Sequence, residues 1–305
     1  MKTELIHKLR PHVLLRTFTL LAATVSLAIV SLPLVRADNS KVDTLVNFEF
    51  SDKYLTPRGM IVVDHGLTSQ LLVLGLVNLY KGTDFVSDIT LVGGFWNDYS
   101  TSPVAKHLGS SGNTNWIEFD PIAGLSASFA KDFKLDVTYT AFAMQILDIG
   151  TSQHLETKLS FNDTDYLGAW ALHPYISFWK ELDGKATAAA NFGFGESYYF
   201  DIGVTPAYVV GKWKFEAPLR VLLPDSKFYG DHFAGSSTVG LYELGVKVST
   251  SASFMPAGYG NWGVHFGARY MNFTDDNLKH LAKGGGFGAP VSDVFQIYAG
   301  LSTFF

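Results

Sequence analysis

The sequence ends with Asp293-Val-Phe-Gln-Ile-Tyr-Ala-Gly-Leu-Ser-Thr-Phe-Phe305, and this stretch decides the fold. Its side chains fall into two alternating sets, as those of a half-buried strand do. The more apolar set, which suits lipid, comprises Phe295, Ile297, Ala299, Leu301, Thr303 and Phe305; the smaller, more polar set comprises Val294, Gln296, Tyr298, Gly300, Ser302 and Phe304. A terminal strand frays unless neighbours hold it. A closed β-barrel provides neighbours on both sides, whereas the alternative, the edge of a soluble sandwich, provides only one.

Residues 1–37 are predicted to form a signal peptide. Basic residues precede an apolar run over residues 17–34, and small Ala37 followed by polar Asp38 favours cleavage between them. The apolar run is close to the lower limit for a membrane helix, about 17 residues, so a retained membrane anchor is the alternative. Residues 38–305 are then predicted to form a single exported domain.

Composition excludes several classes of function. Removal of residues 1–37 leaves 18 basic and 27 acidic residues, a formal charge of −9, which argues against a nucleic-acid partner. The chain has no cysteine and therefore no disulfide framework. It is 47% hydrophobic and only 17% charged, which is unusual for a soluble domain. Because this apolar content is spread over short alternating segments, it is typical of a transmembrane β-barrel.

The alternation predicts twelve strands. Consecutive apolar residues at positions 71–74 leave the two faces of the second strand undetermined. Connections after even-numbered strands are short and those after odd-numbered strands are generally long, as in barrels with periplasmic turns and extracellular loops. We therefore predict that residues 38–305 form an all-β, transmembrane, antiparallel up-and-down barrel in the bacterial outer membrane. The predicted strands are 43–54, 69–80, 85–98, 116–129, 133–141, 153–162, 170–179, 197–209, 212–223, 242–249, 262–270 and 293–305.

The closing strand, which ends on Phe305, resembles that of bacterial outer-membrane β-barrels. In that family the aromatic C-terminal strand is the signal read by the barrel-assembly machinery, so the resemblance implies this machinery and outer-membrane lipid as partners. The N-terminal third is similar to the TorF-type porins. That similarity implies a small porin with no known catalytic residues, although Thr56 and Pro57 interrupt the family's pattern. The residues that carry it are Ser51-Asp52-Lys53-Tyr54, Arg58-Gly59, Val63-Asp64-His65-Gly66, Gln70 and Phe95-Trp96.

The polar faces of the predicted strands indicate a charged lumen. In one interpretation, the charges only brace neighbouring strands, for example Lys214 and Arg220 with Glu243. In the other, acidic and basic walls face each other across a constriction and orient polar solutes. The residues expected to line the pore are Glu118, Asp120, Asp136, Lys214, Arg220, Lys247, His265 and Arg269. Further inward positions are Glu49, Lys53, Asp88, Lys134, Glu156, Lys158, His173, Asp201 and Glu216.

These features predict passive diffusion of small polar solutes or ions, with no enzymatic activity, cofactor or metal. A structural or adhesion barrel with a plugged lumen is the alternative. A barrel-embedded hydrolase is a third, because Ser152 and His154 are close in sequence. The acidic segments 162–165 and 275–277 lack the ligand spacing of an EF-hand loop, and the glycine-rich segment 284–288 opens no helix. Twelve strands lie between filled barrels of about eight and open channels of about 16, so strand number alone does not set the pore width.

Overall fold

The computed structural model describes residues 42–102, 115–145, 151–183, 196–230, 236–283 and 289–305, so the predicted signal peptide lies outside the described residues. Two short helices, Thr164–Leu167 and Asp276–Leu281, accompany the strands. No helix in these ranges has the length and apolar character needed to cross a membrane. The strands are β1 Val42–Ser51, β2 Tyr54–Leu55, β3 Ile61–Val63, β4 Thr68–Lys81, β5 Val86–Ser100, β6 Trp116–Phe129, β7 Phe133–Met144, β8 Ser152–Phe161, β9 Tyr175–Asp183, β10 Tyr198–Val204, β11 Ala207–Val210, β12 Trp213–Glu216, β13 Leu219–Pro224, β14 Leu241–Ser251, β15 Asn261–Phe273 and β16 Asp293–Phe304.

The strands close into an antiparallel barrel of twelve spans, which confirms the predicted fold class and strand number. Closure joins β1 to β16, with Leu45 opposite Phe304 and Ser51 opposite Tyr298. Two spans are each divided in two, β10 from β11 at Pro206 and β12 from β13 at Pro218. Proline has no N–H to donate to the ladder, so pairing is interrupted at both positions. The short hairpin of β2 and β3 is separate from the barrel wall.

The outward face is apolar along the whole circumference. Exposed side chains from strands on opposite sides of the barrel include Leu125, Ile176, Phe200, Val246 and Phe266. Within hydrocarbon every backbone amide must be paired, and only a closed sheet achieves this with strands. The barrel therefore spans the bacterial outer membrane, as the sequence predicted.

The connections differ in length between the two ends of the barrel. We call the end at residues 82–85, 130–132 and 211–212 the turn end, and the opposite end the loop end; the short turns make the turn end periplasmic. The strand predicted at 170–179 starts too early, because β9 begins at Tyr175 and residues 162–174 form a folded turn. Pro174 cannot donate to the ladder, and His173 has a φ of 47°, so neither suits a strand.

The structure also resolves the faces of the second predicted strand, β4. Gln70, Leu72 and Leu74 are buried and point inward, while Leu71 and Val73 lie on the partly exposed outer face. Four consecutive apolar residues are possible here because the inward positions pack in a cluster with Val92 of β5. This apolar cluster fills part of one side of the lumen.

Candidate functional site

The connection between β1 and β4 folds back into the barrel. Residues 52–67, hereafter the inserted loop, contain the β2–β3 hairpin, and Leu55, Arg58 and Ile61 within it are each 2–3% exposed. Gly59 permits the tight turn because its φ is +88°, a region that favours glycine. A Cβ at this position would also lie 2.9 Å from Cδ2 of Leu241 in the barrel wall. The loop is therefore shaped to fit inside the lumen.

Polar contacts fix the inserted loop to several strands of the wall. The Tyr54 hydroxyl donates to Oε2 of Glu118 on β6 at 2.5 Å. Arg220 on β13 donates to the Pro57 carbonyl at 2.7 Å, and Arg269 on β15 donates to the Leu55 carbonyl at 3.0 Å. The amide of Gln296 on β16 donates to the Lys53 carbonyl. Because these strands lie on different sides of the barrel, the loop crosses the lumen from wall to wall.

The loop-end half of the lumen is a packed apolar core, hereafter the outer core. Inward side chains of the wall pack against the inserted loop, against Phe228 and Tyr229, and against the helix Asp276–Leu281. Asp275 caps that helix by accepting from the Leu278 amide at 2.9 Å. The outer core comprises Leu55, Ile61, Trp179, Tyr199, Leu222, Phe228, Tyr229, Leu241, Met271, Phe273, Leu278, Leu281, Ala282 and Val294. It closes the lumen toward the loop end.

The turn-end half of the lumen holds a cavity of about 540 Å³, hereafter the vestibule. Pro57 of the inserted loop forms part of its roof, and Asn162 and His173 line it near the turn end. His173 was predicted to face the lumen from a strand; it does so from the 162–174 turn instead. Charged residues of both signs line the vestibule, namely Glu49, Asp132, Lys134, Asp136, Lys158, Asp201, Glu216, Arg220, Glu243, Lys247 and Arg269.

Most vestibule carboxylates have a basic partner nearby. Arg220 forms ion pairs with Asp201 at 2.5 Å and Glu243 at 2.7 Å. The sequence predicted the pairing of Arg220 with Glu243 across β13 and β14. Lys214 instead pairs with Glu216 of its own strand, at 2.9 Å. Analogous contacts join Lys134 to Asp136 at 2.8 Å and His265 to Glu49 at 3.2 Å. These pairs brace the wall, and those formed by lysine and arginine neutralise part of its charge.

The structure divides the residues predicted to line the pore between two locations. Asp136, Arg220, Lys247, His265 and Arg269 line the vestibule, and Lys214 lies on the same wall beside Glu216. Asp120 lines a separate cavity of about 90 Å³ beside the inserted loop, and Glu118 is buried against Tyr54. Arg269 lines both cavities, so the structure brings Asp120 together with one predicted basic residue, whereas Lys214, Arg220 and Lys247 do not line the smaller cavity.

Arg58 was not identified as a functional residue from the sequence. It is 2% exposed, and its guanidinium lies 4.6 Å from the ring centre of Phe142 and 5.2 Å from that of Trp179. Its Nε and Nη1 have no hydrogen-bond partner among the described residues. Such stacking favours arginine. A Pro-Arg-Gly segment normally indicates an exposed turn, and only the insertion of the loop buries it.

Ser152 and His154 do form a hydrogen bond, with Oγ and Nε2 separated by 2.7 Å. Both residues are buried inside the outer half of the barrel, and the imidazole packs against the rings of Phe142 and Trp179. Nδ1 of His154 has no hydrogen-bond partner among the described residues, so no third group orients the ring. Among the described residues, the pair is therefore buried from solvent and no carboxylate hydrogen-bonds Nδ1 of the imidazole.

Comparison with known proteins concerns the fold. No family model and no curated protein matches the chain. It is similar to the solved structure of an outer-membrane channel from Pseudomonas putida F1, with 11% identity and a TM-score of 0.48, over 87% of this chain and 95% of that chain. The NanC porin shows 8% identity and a TM-score of 0.45, over 86% and 98% of the two chains. The CymD monoaromatic hydrocarbon channel shows 10% identity and a TM-score of 0.41, over 87% and 88%. The TorF-type porins have no counterpart among these matches.

Proposed function

We propose that this protein is an outer-membrane channel for small polar solutes, and that the inserted loop closes it in the state described above. The observation that carries the proposal is the vestibule, a cavity of about 540 Å³ lined by charged side chains that ends at Pro57. Charged walls around a cavity of this volume favour water and polar solutes over apolar ones. The remaining barrier to passage is the inserted loop together with the outer core, so transport requires the loop to move.

The strand register suggests how to remove this barrier. Ser51 of β1 lies opposite Thr68 of β4, so the two strands are already paired where the inserted loop begins and ends. A two-residue Asn-Gly turn can join such a pair. Replacement of residues 52–67 by Asn-Gly is therefore expected to leave the barrel intact, to remove the segment that crosses the lumen, and to loosen the outer core by removing Leu55 and Ile61. In planar bilayers this variant should give large, stable single-channel steps, and the wild-type protein should give brief, infrequent ones.

A disulfide across the closed lumen provides the matched control. The Ile61 amide donates to the Ala282 carbonyl at 2.8 Å, and the natural chain has no cysteine, so Ile61→Cys with Ala282→Cys can form one defined bond. Oxidation should abolish the brief wild-type-like openings, and a reductant should restore them. Heat-modifiable migration on a gel checks that each variant has folded.

A plugged structural or adhesion barrel is the second candidate, and the close packing of the outer core favours it. That candidate predicts no conductance from the wild-type protein and none from the cysteine variant in either redox state, with steps only when residues 52–67 are replaced. Openings that disappear on oxidation and return on reduction would exclude it.

A further inference from the structure

We infer that the roof of the vestibule is a binding site for a small organic anion, centred on Arg269 and Lys247, and that the bound anion competes with the inserted loop for Arg269. The role of this site in transport rests on the proposed channel function. Binding itself does not require conduction.

Arg269 differs from the other arginine at the vestibule roof. Arg220 contacts two carboxylates, those of Asp201 and Glu243, in addition to the Pro57 carbonyl. Arg269 donates only to neutral acceptors, the Gln296 side-chain oxygen and the Leu55 carbonyl, and no carboxylate among the described residues lies within 4.0 Å of it. Carboxylates bind guanidinium groups more strongly than neutral carbonyls do. The guanidinium group of Arg269 can therefore still bind an anionic ligand.

Lys247 supplies a second cation on the adjacent strand. It lines the vestibule, and no carboxylate of the described residues lies within 4.0 Å of its ammonium group. In the β14–β15 register, Gly245 is opposite Arg269 and Gly267 is opposite Lys247, so the two cations are diagonal neighbours. Diagonal pairs have Cα atoms about 7–8 Å apart, a separation that one small dicarboxylate can bridge with flexible side chains on both sides.

Carbon atoms of Pro218 and Tyr298 make most of the surface between the two cations, and the Tyr298 hydroxyl lies beside them. A Cβ on Gly245 would lie 2.7 Å from Cγ of Pro218, and a Cβ on Gly267 would lie 2.2 Å from the Tyr298 ring. Pro218 and Tyr298 thus cover the two glycines and present apolar surface to the vestibule. A ligand with a short hydrocarbon segment between its charges would cover this apolar surface. An inorganic anion would leave the surface in contact with water.

The acidic residues of the vestibule do not cancel this preference. Asp136 contacts Lys134, Asp201 and Glu243 share Arg220, and Glu49 contacts His265. Glu216, which is opposite Lys247 in the β12–β14 register, is paired with Lys214. Asp132 accepts from the Tyr166 hydroxyl at 2.9 Å. Lys158 is a third cation without a carboxylate within 4.0 Å among the described residues, and its ammonium lies 4.1 Å from the ring centre of Tyr175. Lys158, Lys247 and Arg269 are therefore the vestibule cations that have no carboxylate within 4.0 Å among the described residues.

Binding of an anion at this site would weaken a contact of the inserted loop. A carboxylate at Arg269 would displace the neutral Leu55 carbonyl, which is one of the polar contacts that fix the loop to the wall. An anion bound at Arg269 would therefore weaken the attachment of the inserted loop to the wall.

Calorimetric titration of the detergent-solubilised protein with succinate tests the binding. We expect millimolar or tighter affinity, a Kd at least tenfold higher in Arg269→Gln, and a Kd several-fold higher in Lys247→Gln. Lys134→Gln is the control, since Lys134 lines the same vestibule but is paired with Asp136; its Kd should change less than twofold. Wild-type affinity in both Arg269→Gln and Lys247→Gln, or equal weakening in Lys134→Gln, would overturn the site, and sulfate binding as tightly as succinate would overturn its preference for organic anions.

The competition has its own readout. Succinate should slow disulfide formation in the Ile61→Cys, Ala282→Cys protein, and should have no effect once Arg269→Gln is added. Equal oxidation rates with and without succinate would refute the competition.

The experiments distinguish failure of the channel proposal from failure of the binding-site proposal. Succinate binding in a protein that never conducts would refute the channel and leave the site standing, whereas conduction without Arg269-dependent binding would refute the site alone.

Discussion

In the loop-end half of the lumen, Trp179, Leu222 and Leu278 belong to a core that buries the middle of the inserted loop, where Leu55 and Ile61 are 2–3% exposed. In the turn-end half, Lys134, Asp201 and Glu243 surround about 540 Å³ of open space. The same strands build both halves. Inward positions only two residues apart, Arg220 and Leu222 on β13, belong to different halves.

On β13 the boundary between the halves is therefore a single inward step along the strand. The same change occurs on β15, where Arg269 lines the vestibule and Met271 belongs to the outer core. At this boundary, Arg220 and Arg269 bond the carbonyl groups of the inserted loop. A barrel of this width can thus be filled over part of its length and hollow over the rest, and the two arginines connect the closure to the space that a solute would enter.

The largest expected difference between the halves concerns packing. Leu278 is fully buried in the outer core, so Leu278→Ala should destabilise the docking of its helix by about 2–5 kcal/mol. Faster hydrogen exchange of the Ala282 amide, which donates to the Leu278 carbonyl at 2.8 Å, would report this. Lys134→Ala in the vestibule removes a half-exposed ion pair and should cost less than about 1 kcal/mol. Similar costs for the two variants would contradict the division of the lumen into a packed and an open half.

A matched pair of tyrosines gives the next largest difference. Tyr54 and Tyr175 each donate to a carboxylate, Glu118 at 2.5 Å in the closed half and Asp201 at 3.0 Å in the vestibule. Tyr54→Phe leaves a buried carboxylate without its donor and should cost about 1.5–3 kcal/mol, whereas water can replace the lost hydroxyl of Tyr175→Phe at about 0.5–1 kcal/mol. Urea unfolding of the two variants in lipid vesicles compares them directly, and a larger loss for Tyr175→Phe would reverse the assignment.

The wall of the barrel could be predicted from the sequence because its signal is local. β6, Trp116–Phe129, has the bounds that alternation predicted, and the closing strand differs from its prediction by one residue. Each outward position must carry an apolar side chain because it faces lipid. The outward-facing residues of a strand can therefore be recognised from the sequence alone. The start of β9 was mispredicted because Trp170 and Leu172 continue the alternation through a turn, where Trp170 is 84% exposed.

The contents of the lumen could not be predicted in the same way. Lys53, Pro57 and Gly59 are typical of an exposed loop, and nothing in their spacing shows that barrel closure surrounds them. The predicted acidic and basic walls likewise assumed that inward charges share one level, but Glu118 lies beside the inserted loop while Lys247 lies in the vestibule. Position along the barrel axis depends on strand tilt and register, which alternation alone does not determine.

The smallest expected effect lies at the rim of the closed half, where Lys283 contacts Asp64 of the inserted loop at 3.0 Å. Burial alone would raise the pKa of Asp64, but hydrogen bonds from Lys283 and His65 hold it below its ordinary value. A lowered folded-state pKa means that this contribution is fully present above the unfolded value of about 3.9 and is lost as the pH falls through the folded value. Because the pair is partly exposed and screened by solvent, Lys283→Ala should cost at most about 1 kcal/mol at pH 7. Hydrogen exchange of the Ile61 amide, compared between wild type and Lys283→Ala, should show a difference that is lost as the pH falls through the lowered pKa of Asp64, whereas the difference caused by Leu278→Ala should persist. A Lys283→Ala effect that is as large and as independent of pH as that of Leu278→Ala would mean that the rim, and not the outer core, holds the loop in place.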